Sequence, residues 1–314
     1  MRGYVFALGA EIFLYISVRM CYNGVKYRAR KPLDKEEFMA SLRIMTHNQW
    51  KIDQNRPEWE EKGFDCSAKV RTKGFARVFS DICPDIVGAQ EVSPRMAEHL
   101  MEHLGARGLN YAILWGRDTP IFYRPDKFEL VDSAFSLYPE EFPGHEGAFN
   151  NQKTKSYCIG VFRVKENGKL FIFASTHLWW KSSKDQPYSN EARAYQLGLL
   201  IERTDALQKK YGCPAIIVGD LNAGYDSDAL KRAFDSGFSH AHDLATDYAD
   251  DSAGLHYCFG EGFYDYYYDY PFERAIDHIL LKGEDSTVRR FERFSPEYYL
   301  PLSDHSPAFI DIEI

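Results

Sequence analysis

The stretch PLSDHSPAFIDIEI, Pro301–Ile314, ends the chain with an apolar run that predicts a last β-strand. An acid and an imidazole, Asp304 and His305, stand side by side directly before that strand. Such a pair often arises by chance on protein surfaces, so it indicates no function by itself. Its meaning depends on whether other acids, amides and histidines stand at the ends of other strands.

Several other apolar runs also end in a polar side chain that could serve chemistry. The runs LRIMTHN, PDIVGAQE, LFIFASTH and CPAIIVGD end in that order at Asn48, Glu91, His177 and Asp220, and Asn222 follows Asp220 closely. The run RAIDHILLK carries Asp277 within it. Taken singly, each of these residues could terminate a strand or cap a helix. Because strand ends in an open α/β sheet converge on one crevice, we expect these side chains to share one site.

Helical patterns alternate with these strands, which predicts an α/β fold. They lie near 67–82, 93–105, 189–210 and 227–237. The clearest hairpin runs from Ser156 to Leu178 and predicts a two-residue turn at Asn167-Gly168. No repeat or linker-like composition interrupts residues 42–314, so we predict one domain there.

The composition is that of a globular protein without a global positive field. The chain has 314 residues, 45% of them hydrophobic, which is enough for one large core. Its net charge of -8 disfavours a nucleic-acid partner, although a local basic groove stays possible. The six cysteines include no C-x-x-C pair, which argues against a zinc site or a disulfide framework.

Residues 1–41 form an N-terminal extension whose role the sequence leaves open. Gly3–Val18 is apolar except for Glu11, but it is too short for a stable membrane span. No small-residue cleavage site follows, so we predict a cytoplasmic protein. The alternative is secretion or membrane anchoring through residues 1–20, and translation could also begin at Met39.

The motifs MTHNQW, VGAQEV, STHL, VGDLNA, AIDHILL and LSDHSP occur in this order between residue 42 and the C-terminus. Individually they are weak, but together they resemble the endonuclease/exonuclease/phosphatase superfamily of metal-dependent phosphoesterases. The resemblance implies a DNase I-like, four-layered α/β sandwich, in which two packed mixed β-sheets are flanked by helices. It also implies that residues 42–314 form the catalytic domain.

Phosphoester hydrolysis needs a divalent cation on the phosphoryl oxygens and an activated water in line. Carboxylate and amide oxygens suit Mg²⁺ or Mn²⁺. The resemblance implies Glu91 as the principal metal carboxylate, with Asn48 and Asp304 completing the metal site. Repair enzymes of the superfamily place a further acid where this chain has Trp50, which puts a second metal carboxylate in doubt.

The resemblance also implies the roles of the remaining motif residues. Asp220 would orient or deprotonate the attacking water, and Asn222 would hold a phosphate oxygen. His177 and His305 would face the phosphate, and Asp277 would bond to the far nitrogen of His305. Whether Asp220 or His305 is the base stays open at this point.

Four residues are candidates for substrate binding: Trp50, Trp179, Lys181 and His256. Stacking on a base is one role for the tryptophans, and covering the core is the other. The acidic, tyrosine-rich segment 256–274 favours a small or lipid-like phosphoester over duplex DNA. We therefore predict a Mg²⁺- or Mn²⁺-dependent phosphodiesterase or phosphatase. The alternatives are a single-strand-preferring nuclease and a non-catalytic binding module of the same fold.

Overall fold

Two β-sheets pack against each other and carry helices on their outer faces. The computed structural model describes residues 39–51, 53, 55, 57–61, 63, 65–250, 255–257, 266–268, 275–283, 286–299 and 301–314. Residues Met39–Ile314 form one compact unit. Residues 1–38 lie outside the described residues, so the predicted N-terminal extension stays a prediction.

The first sheet has seven strands and is mixed. In spatial order these are β10 (Asp247–Asp250), β14 (Thr287–Arg293), β15 (Ala308–Glu313), β1 (Ser41–Asn48), β2 (Ile86–Gln90), β4 (Ile121–Tyr123) and β3 (Ala112–Leu114). The central strand β1 runs parallel to β2 and antiparallel to the closing strand β15. The stretch that ends the chain therefore lies in the middle of this sheet, where it is buried on both sides.

The second sheet has six strands and contains the predicted hairpin. In spatial order these are β5 (Phe128–Leu137), β6 (Ser156–Val164), β7 (Leu170–His177), β8 (Ala215–Asp220), β13 (Asp277–Lys282) and β9 (Ser239–His240). Strands β7 and β8 are parallel, and β13 runs antiparallel to β8. A separate pair, β11 (Leu255–Tyr257) and β12 (Tyr266–Tyr268), lies in the tyrosine-rich segment.

Helices cover the outer face of each sheet, which confirms the predicted four-layered α/β sandwich. The first sheet packs on α2 (Ala68–Ile82) and α3 (Pro94–Ala106), and the second sheet packs on α4 (Ser189–Tyr211) and α5 (Asp228–Asp235). The short elements are α1 (Pro57–Glu60), α6 (Ala241–Leu244) and a 3-10 helix (Glu297–Tyr299). Within the described residues, no helix is both long and apolar enough to cross a membrane.

The two sheets approach closely beneath the polar strand ends. A Cβ on Gly88 of β2 would lie 2.3 Å from Val218 Cγ2 of β8, so a glycine is needed at this crossing. Two residues farther along β2, the side-chain amide of Gln90 donates to Ser175 Oγ at 3.1 Å. Ser175 Oγ in turn donates to the carbonyl of Ala89 at 3.0 Å. These buried hydrogen bonds fix the relative position of the two sheets, and thereby of the strand ends above them.

The predicted two-residue turn in the hairpin is wrong. Val164 and Lys169 close the hairpin, because Val164 N donates to Lys169 O at 2.8 Å and leaves a four-residue loop, 165–168. Gly168 has φ of 77°, and its N–H donates to Val164 O at 2.7 Å. The Asn-Gly pair therefore marks the left-handed residue of a longer loop rather than the whole turn.

Candidate active site

The predicted site residues meet at one end of both sheets, and strand direction explains why. Asn48 ends β1, and Glu91 follows the parallel strand β2. His177 and Asp220 end the parallel strands β7 and β8 and lie opposite each other. Asp277 also lies opposite Asp220, because β13 is antiparallel and begins where β8 ends.

Asp304 and His305 reach the same end from the opposite direction. They precede β15, which is antiparallel to β1 and pairs Ala308 with Thr46 near the end of β1. The loop before β15 therefore lies beside the loop after β1. Ser303 Oγ fastens the two loops together by donating to Asn48 O at 2.8 Å.

These strand ends surround a cavity of about 490 Å³. Its lining residues are Lys51, Glu91, Asp118, Gln152, Thr154, Lys155, His177, Trp180, Asp220, Asn222, Ile276, Asp304 and His305. Asn48 and Asp277 are not among them, but each contacts a residue that is. The structure thus brings all eight predicted metal and catalytic residues together around one cavity.

A carboxylate on each side fixes the His305 ring. Asp277 Oδ2 lies 2.7 Å from His305 Nδ1, and Asp220 Oδ2 lies 3.8 Å from His305 Nε2. Burial lowers the pKa of His305, but the charges of Asp277 and Asp220 outweigh it and raise the pKa well above its usual value. The two carboxylates therefore favour the protonated form of His305, and Asp277 fixes the orientation of its ring.

Asp220 is an ionised acid held by several donors. Its Oδ2 accepts from Asn48 Nδ2 at 3.0 Å and lies 3.3 Å from His177 Nε2, while its Oδ1 accepts from Asn222 N at 2.8 Å. Burial raises the pKa of Asp220, but the neighbouring His305 and His177 outweigh it and hold the pKa well below its usual range. Asp220 is therefore a carboxylate in a fixed orientation.

His177 lies between Asp220 and a second buried acid, Asp118. Its Nδ1 is 3.5 Å from Asp118 Oδ2, on the side of the ring away from Asp220. Burial and the nearby Lys155 lower the pKa of His177, but hydrogen bonds with Asp118 and Asp220 raise it above the usual value. The His177 ring is therefore held between two carboxylates, with an acidic partner for each ring nitrogen.

Glu91 and Asp304 offer oxygen ligands for a cation. Oxygen or nitrogen atoms of Glu91, His177 and Asp220 lie within 4.8 Å of one another, close enough to share one ion. Asp304 Oδ1 is buried and has no hydrogen-bond partner within the described part of the chain. Burial raises the pKa of Asp304 to about 6. The charge of His305 acts in the opposite direction, and the charge of Glu91 adds to the increase. Hard oxygens with an unsatisfied valence fit Mg²⁺ or Mn²⁺.

Asn48 contacts the carboxylates of both Glu91 and Asp220. Its Oδ1 accepts from Trp50 N at 2.9 Å, and its Nδ2 points toward Glu91 Oε1 at 3.4 Å as well as toward Asp220. An amide nitrogen cannot bind a cation. Asn48 therefore aligns the two carboxylates in this orientation, and its predicted role as a metal ligand stays a prediction.

Two residues beside these carboxylates have left-handed backbone conformations. Glu91 has φ of 57° and Asn222 has φ of 49°, a region that residues other than glycine rarely adopt. Glu91 is held there by Lys51 N, which donates to Glu91 Oε2 at 3.1 Å. Asn222 is held by its N–H to Asp220 and by its Nδ2, which donates to Leu178 O at 3.2 Å. Such strained backbone is a feature of functional sites.

Two of the predicted substrate residues, Trp179 and Lys181, are not among the described residues that line the cavity. Trp179 is 2% exposed and packs in a hydrophobic cluster with Phe149, so its ring cannot contact a substrate. The next residue, Trp180, is 53% exposed and lines the cavity. Lys181 Nζ lies 5.7 Å from the Trp180 ring centroid, although Lys181 itself is not among the lining residues.

Of the other two candidates, Trp50 is not among the described residues that line the cavity. The Trp50 ring lies 5.5 Å from the guanidinium of the buried Arg71, beside the site. His256 belongs to β11, but its side chain lies outside the described residues, as does most of the acidic segment 256–274.

Sequence reasoning missed three charged residues that line the cavity: Lys51, Asp118 and Lys155. Asp118 precedes β4, and Lys155 immediately precedes β6. Both strands are antiparallel to a strand that ends at the site, so their beginnings lie at the same end. Asp118 in WGRDTPIFY stands before an apolar run, as Asp304 does, and that signal could have found it.

Comparison with known proteins relates the chain to enzymes that act on phosphate esters. The Ccr4 3′-5′-exoribonuclease subunit of the CCR4-Not complex of Candida albicans is 26% identical over 140 residues, which cover 39% of this chain and 17% of that protein. The chain therefore spans only a small part of that relative.

Solved structures match over most of the chain. An endonuclease/exonuclease/phosphatase family protein from Bacteroides thetaiotaomicron is 19% identical with a TM-score of 0.70, covering 89% of this chain and 97% of that one. A mannosyl-6-phosphatase from the same organism is 19% identical with a TM-score of 0.64, covering 86% and 99%. At these identities the likeness shows the fold. The family model described as Endonuclease/Exonuclease/phosphatase family matches residues 63–305, and the chain accordingly belongs to that family, whose members hydrolyse phosphoester bonds.

Proposed function

We propose that this protein is a divalent-metal-dependent hydrolase of a small or lipid-like phosphoester. The observation that carries the proposal is the row of side chains His305, Asp220 and His177 along one cavity wall, with Asp277 behind His305 and Glu91 beside His177. A buried Asp-His pair, a fixed carboxylate and an oxygen-rich corner are the groups that phosphoester hydrolysis requires.

Glu91 and Asp304 would hold the cation, which we take to be Mg²⁺ or Mn²⁺. When bound, the ion supplies positive charge to the phosphoryl oxygens. Asn48 keeps the Glu91 and Asp220 carboxylates apart and aligned through its Nδ2. Oxygen atoms of Glu91 and Asp220 lie within 4.8 Å of each other. Without the Asn48 donor, these two carboxylates would repel each other.

Asp220 would orient the attacking water and accept its proton as the new bond to phosphorus forms. His305 would donate to a non-bridging oxygen of the phosphate. Its Nε2 lies 3.8 Å from Asp220 Oδ2, so both groups face the same side of the phosphorus, and His305 is too close to the water to serve the departing oxygen opposite. Asn222 would add a donor to the same phosphate group, which His177 would also face.

The cavity itself favours a small substrate. At about 490 Å³ it has the volume of a small-molecule site, and the chain carries a net charge of -8. A long polyanion would meet repulsion outside the cavity.

Single-strand nuclease activity is the second candidate. Trp180 lines the cavity with 53% of its surface exposed, where a base could stack on its ring. The Candida albicans relative is named as an exoribonuclease.

A substrate panel separates these functions. Bis-p-nitrophenyl phosphate, sugar phosphates, a lysophospholipid, single-stranded RNA and single-stranded DNA are each incubated with the full chain and Mg²⁺ or Mn²⁺. We expect turnover of a small or lipid-like ester that EDTA abolishes and Mg²⁺ restores. Turnover that resists EDTA contradicts the metal mechanism, and no turnover of any compound favours a non-catalytic binding module.

Salt dependence provides a second discriminator between the two catalytic candidates. Each phosphate contact of a bound strand releases counterions, so nuclease activity below saturation should fall steeply as the salt concentration rises. Hydrolysis of a small ester should change little under the same conditions. If RNA or DNA is the best substrate and its hydrolysis falls steeply as the salt concentration rises, single-strand nuclease activity replaces small-ester hydrolysis as the proposed function.

A further inference from the structure

Lys155 is a buried cation in the cavity wall that the roles above leave unused. It is 5% exposed and stands directly before β6, whose first residue pairs with His177. Its Nζ lies 2.5 Å from His177 Nε2 and 3.3 Å from His177 Nδ1. Among the described residues, no carboxylate oxygen lies within 4.0 Å of this ammonium. An imidazole accepts at one nitrogen at most, so the ammonium retains unused donors at the cavity.

Lys51 supplies a second ammonium to the same cavity. Its Nζ lies 3.0 Å from Asp118 Oδ1, and the other oxygen of Asp118 lies 3.5 Å from His177 Nδ1. Asp118 is buried, and it therefore positions Lys51 and His177 together on the side where Lys155 lies. The two lysines bring fixed positive charge to the wall next to the proposed metal site.

A buried ammonium without an anion is unfavourable unless an anion arrives with the ligand. Burial lowers the pKa of Lys155, and the charges of Glu91, Asp220 and Asp118 oppose this shift, although none of these carboxylates pairs with it directly. If Glu91 and Asp304 hold a divalent cation, Lys51 and Lys155 are still available to bind the substrate. A terminal phosphate carries close to two negative charges at neutral pH and three non-bridging oxygens. An internal phosphodiester carries one charge and two such oxygens.

We propose that Lys155 and Lys51 bind the non-bridging oxygens of a terminal phosphate and thereby select phosphomonoesters over phosphodiesters. This inference rests on the proposed function, because it names the substrate class of the same cavity. In the reaction, the water oxygen bonds to phosphorus and the ester P–O bond breaks. Asp220 takes one proton from the water, the departing oxygen takes one from solvent, and the products are an alcohol and inorganic phosphate.

The first test compares p-nitrophenyl phosphate with bis-p-nitrophenyl phosphate as substrates of the full chain with Mg²⁺. We expect the wild type to have the higher kcat/KM for the monoester. Lys51→Met and Lys155→Met should each lower kcat/KM for the monoester by roughly ten- to hundredfold, the effect of one hydrogen bond to a charged group, and affect the diester much less. A wild type that prefers the diester, or equal losses on both substrates, overturns the inference.

Lys127→Met is a matched control for Lys51→Met. Both lysines are partly exposed, 36% and 40%, and both pair with a buried aspartate, Asp85 at 2.8 Å and Asp118 at 3.0 Å. Lys127 does not line the cavity, so its substitution should leave both activities unchanged. Lys155→Arg retains the charge and should recover part of the loss seen with methionine.

Calorimetric titration of inorganic phosphate into the Mg²⁺-loaded chain gives a readout that needs no turnover. We expect the Kd for phosphate to rise about tenfold or more in Lys51→Met and Lys155→Met and to stay constant in Lys127→Met. If neither ester is hydrolysed, the proposed function fails, while an unchanged Kd in the lysine variants overturns the inference separately. Should Lys155→Met not fold, the partly exposed Lys51 still decides the outcome by both measurements.

Discussion

Replacing Asp277 with asparagine tests whether a carboxylate keeps the proton on His305. Asp277 Oδ2 lies 2.7 Å from His305 Nδ1, and both side chains are buried. An opposite charge this close shifts the pKa of its partner by about 1–3 units. The amide oxygen of asparagine can still accept a hydrogen bond from Nδ1. The substitution therefore removes the charge and retains the shape and the ring orientation.

The direction of the expected change follows from the charge. The Asp277 carboxylate favours the imidazolium and so raises the pKa of His305, and Asp220 adds to this from 3.8 Å. If protonated His305 donates to the phosphate, kcat/KM falls as the pH rises through this pKa. We expect the alkaline limb of the pH profile to move to lower pH by about 1–3 units in Asp277→Asn. On the acidic side of the limb, the loss should stay below about tenfold, since the donor is still protonated there.

The assay is kcat/KM for the best substrate of the panel across the pH range, at saturating Mg²⁺. Asp85→Asn is the control, because Asp85 is also buried and paired, with Lys127, but lies at the opposite end of β2. It should leave the pH profile in place even if it lowers the stability. An alkaline limb that does not move in Asp277→Asn, or a uniform loss at every pH, would refute the proton-holding role of Asp277.

Three further predictions follow from the site. Asp220→Asn and His305→Ala should each lower kcat by at least about a hundredfold with an unchanged circular dichroism spectrum, and near-full activity in both contradicts the assigned roles. The pKa of Asp304 is raised to about 6, so below that pH a cation must displace a proton. Calorimetry should show Mn²⁺ affinity falling by up to about tenfold per pH unit there, and a pH-independent affinity argues against Asp304 as a ligand. Trp179→Ala should lower the free energy of unfolding by about 3–5 kcal/mol, whereas Trp180→Ala should raise KM at unchanged Tm. Reversed effects would show that the buried and exposed rings are assigned incorrectly.

The residues at strand ends could be found from sequence because an apolar run ends there and a polar side chain stands at its end. Asn48, His177 and Asp220 each end an apolar run, and an acid or amide at that position is unfavourable in a core without a partner. The sheet directions then bring these ends together, as the register of His177 opposite Asp220 shows. The four-layered fold was predictable for the same reason, since the ordered motifs resemble one superfamily.

Residues before antiparallel strands were harder to find. Asp118 and Lys155 belong to the site only because β4 and β6 run antiparallel to strands that end there. Local sequence carries no mark of strand direction, because a strand has the same period of two whichever way its neighbour runs. Lys155 was therefore invisible until the strands were paired, whereas Lys51 lies only three residues after Asn48, the end of β1.

From the amino-acid sequence alone came the strands that carry the site, the polar residues at their ends and the family that the motifs resemble. Which of two adjacent tryptophans faces the cavity depends instead on how the layers pack. Trp179 and Trp180 are chemically identical, but the first packs against Phe149 beneath α4 and the second faces solvent. Burial is a property of the packed layers around a residue, and no local pattern specifies those layers.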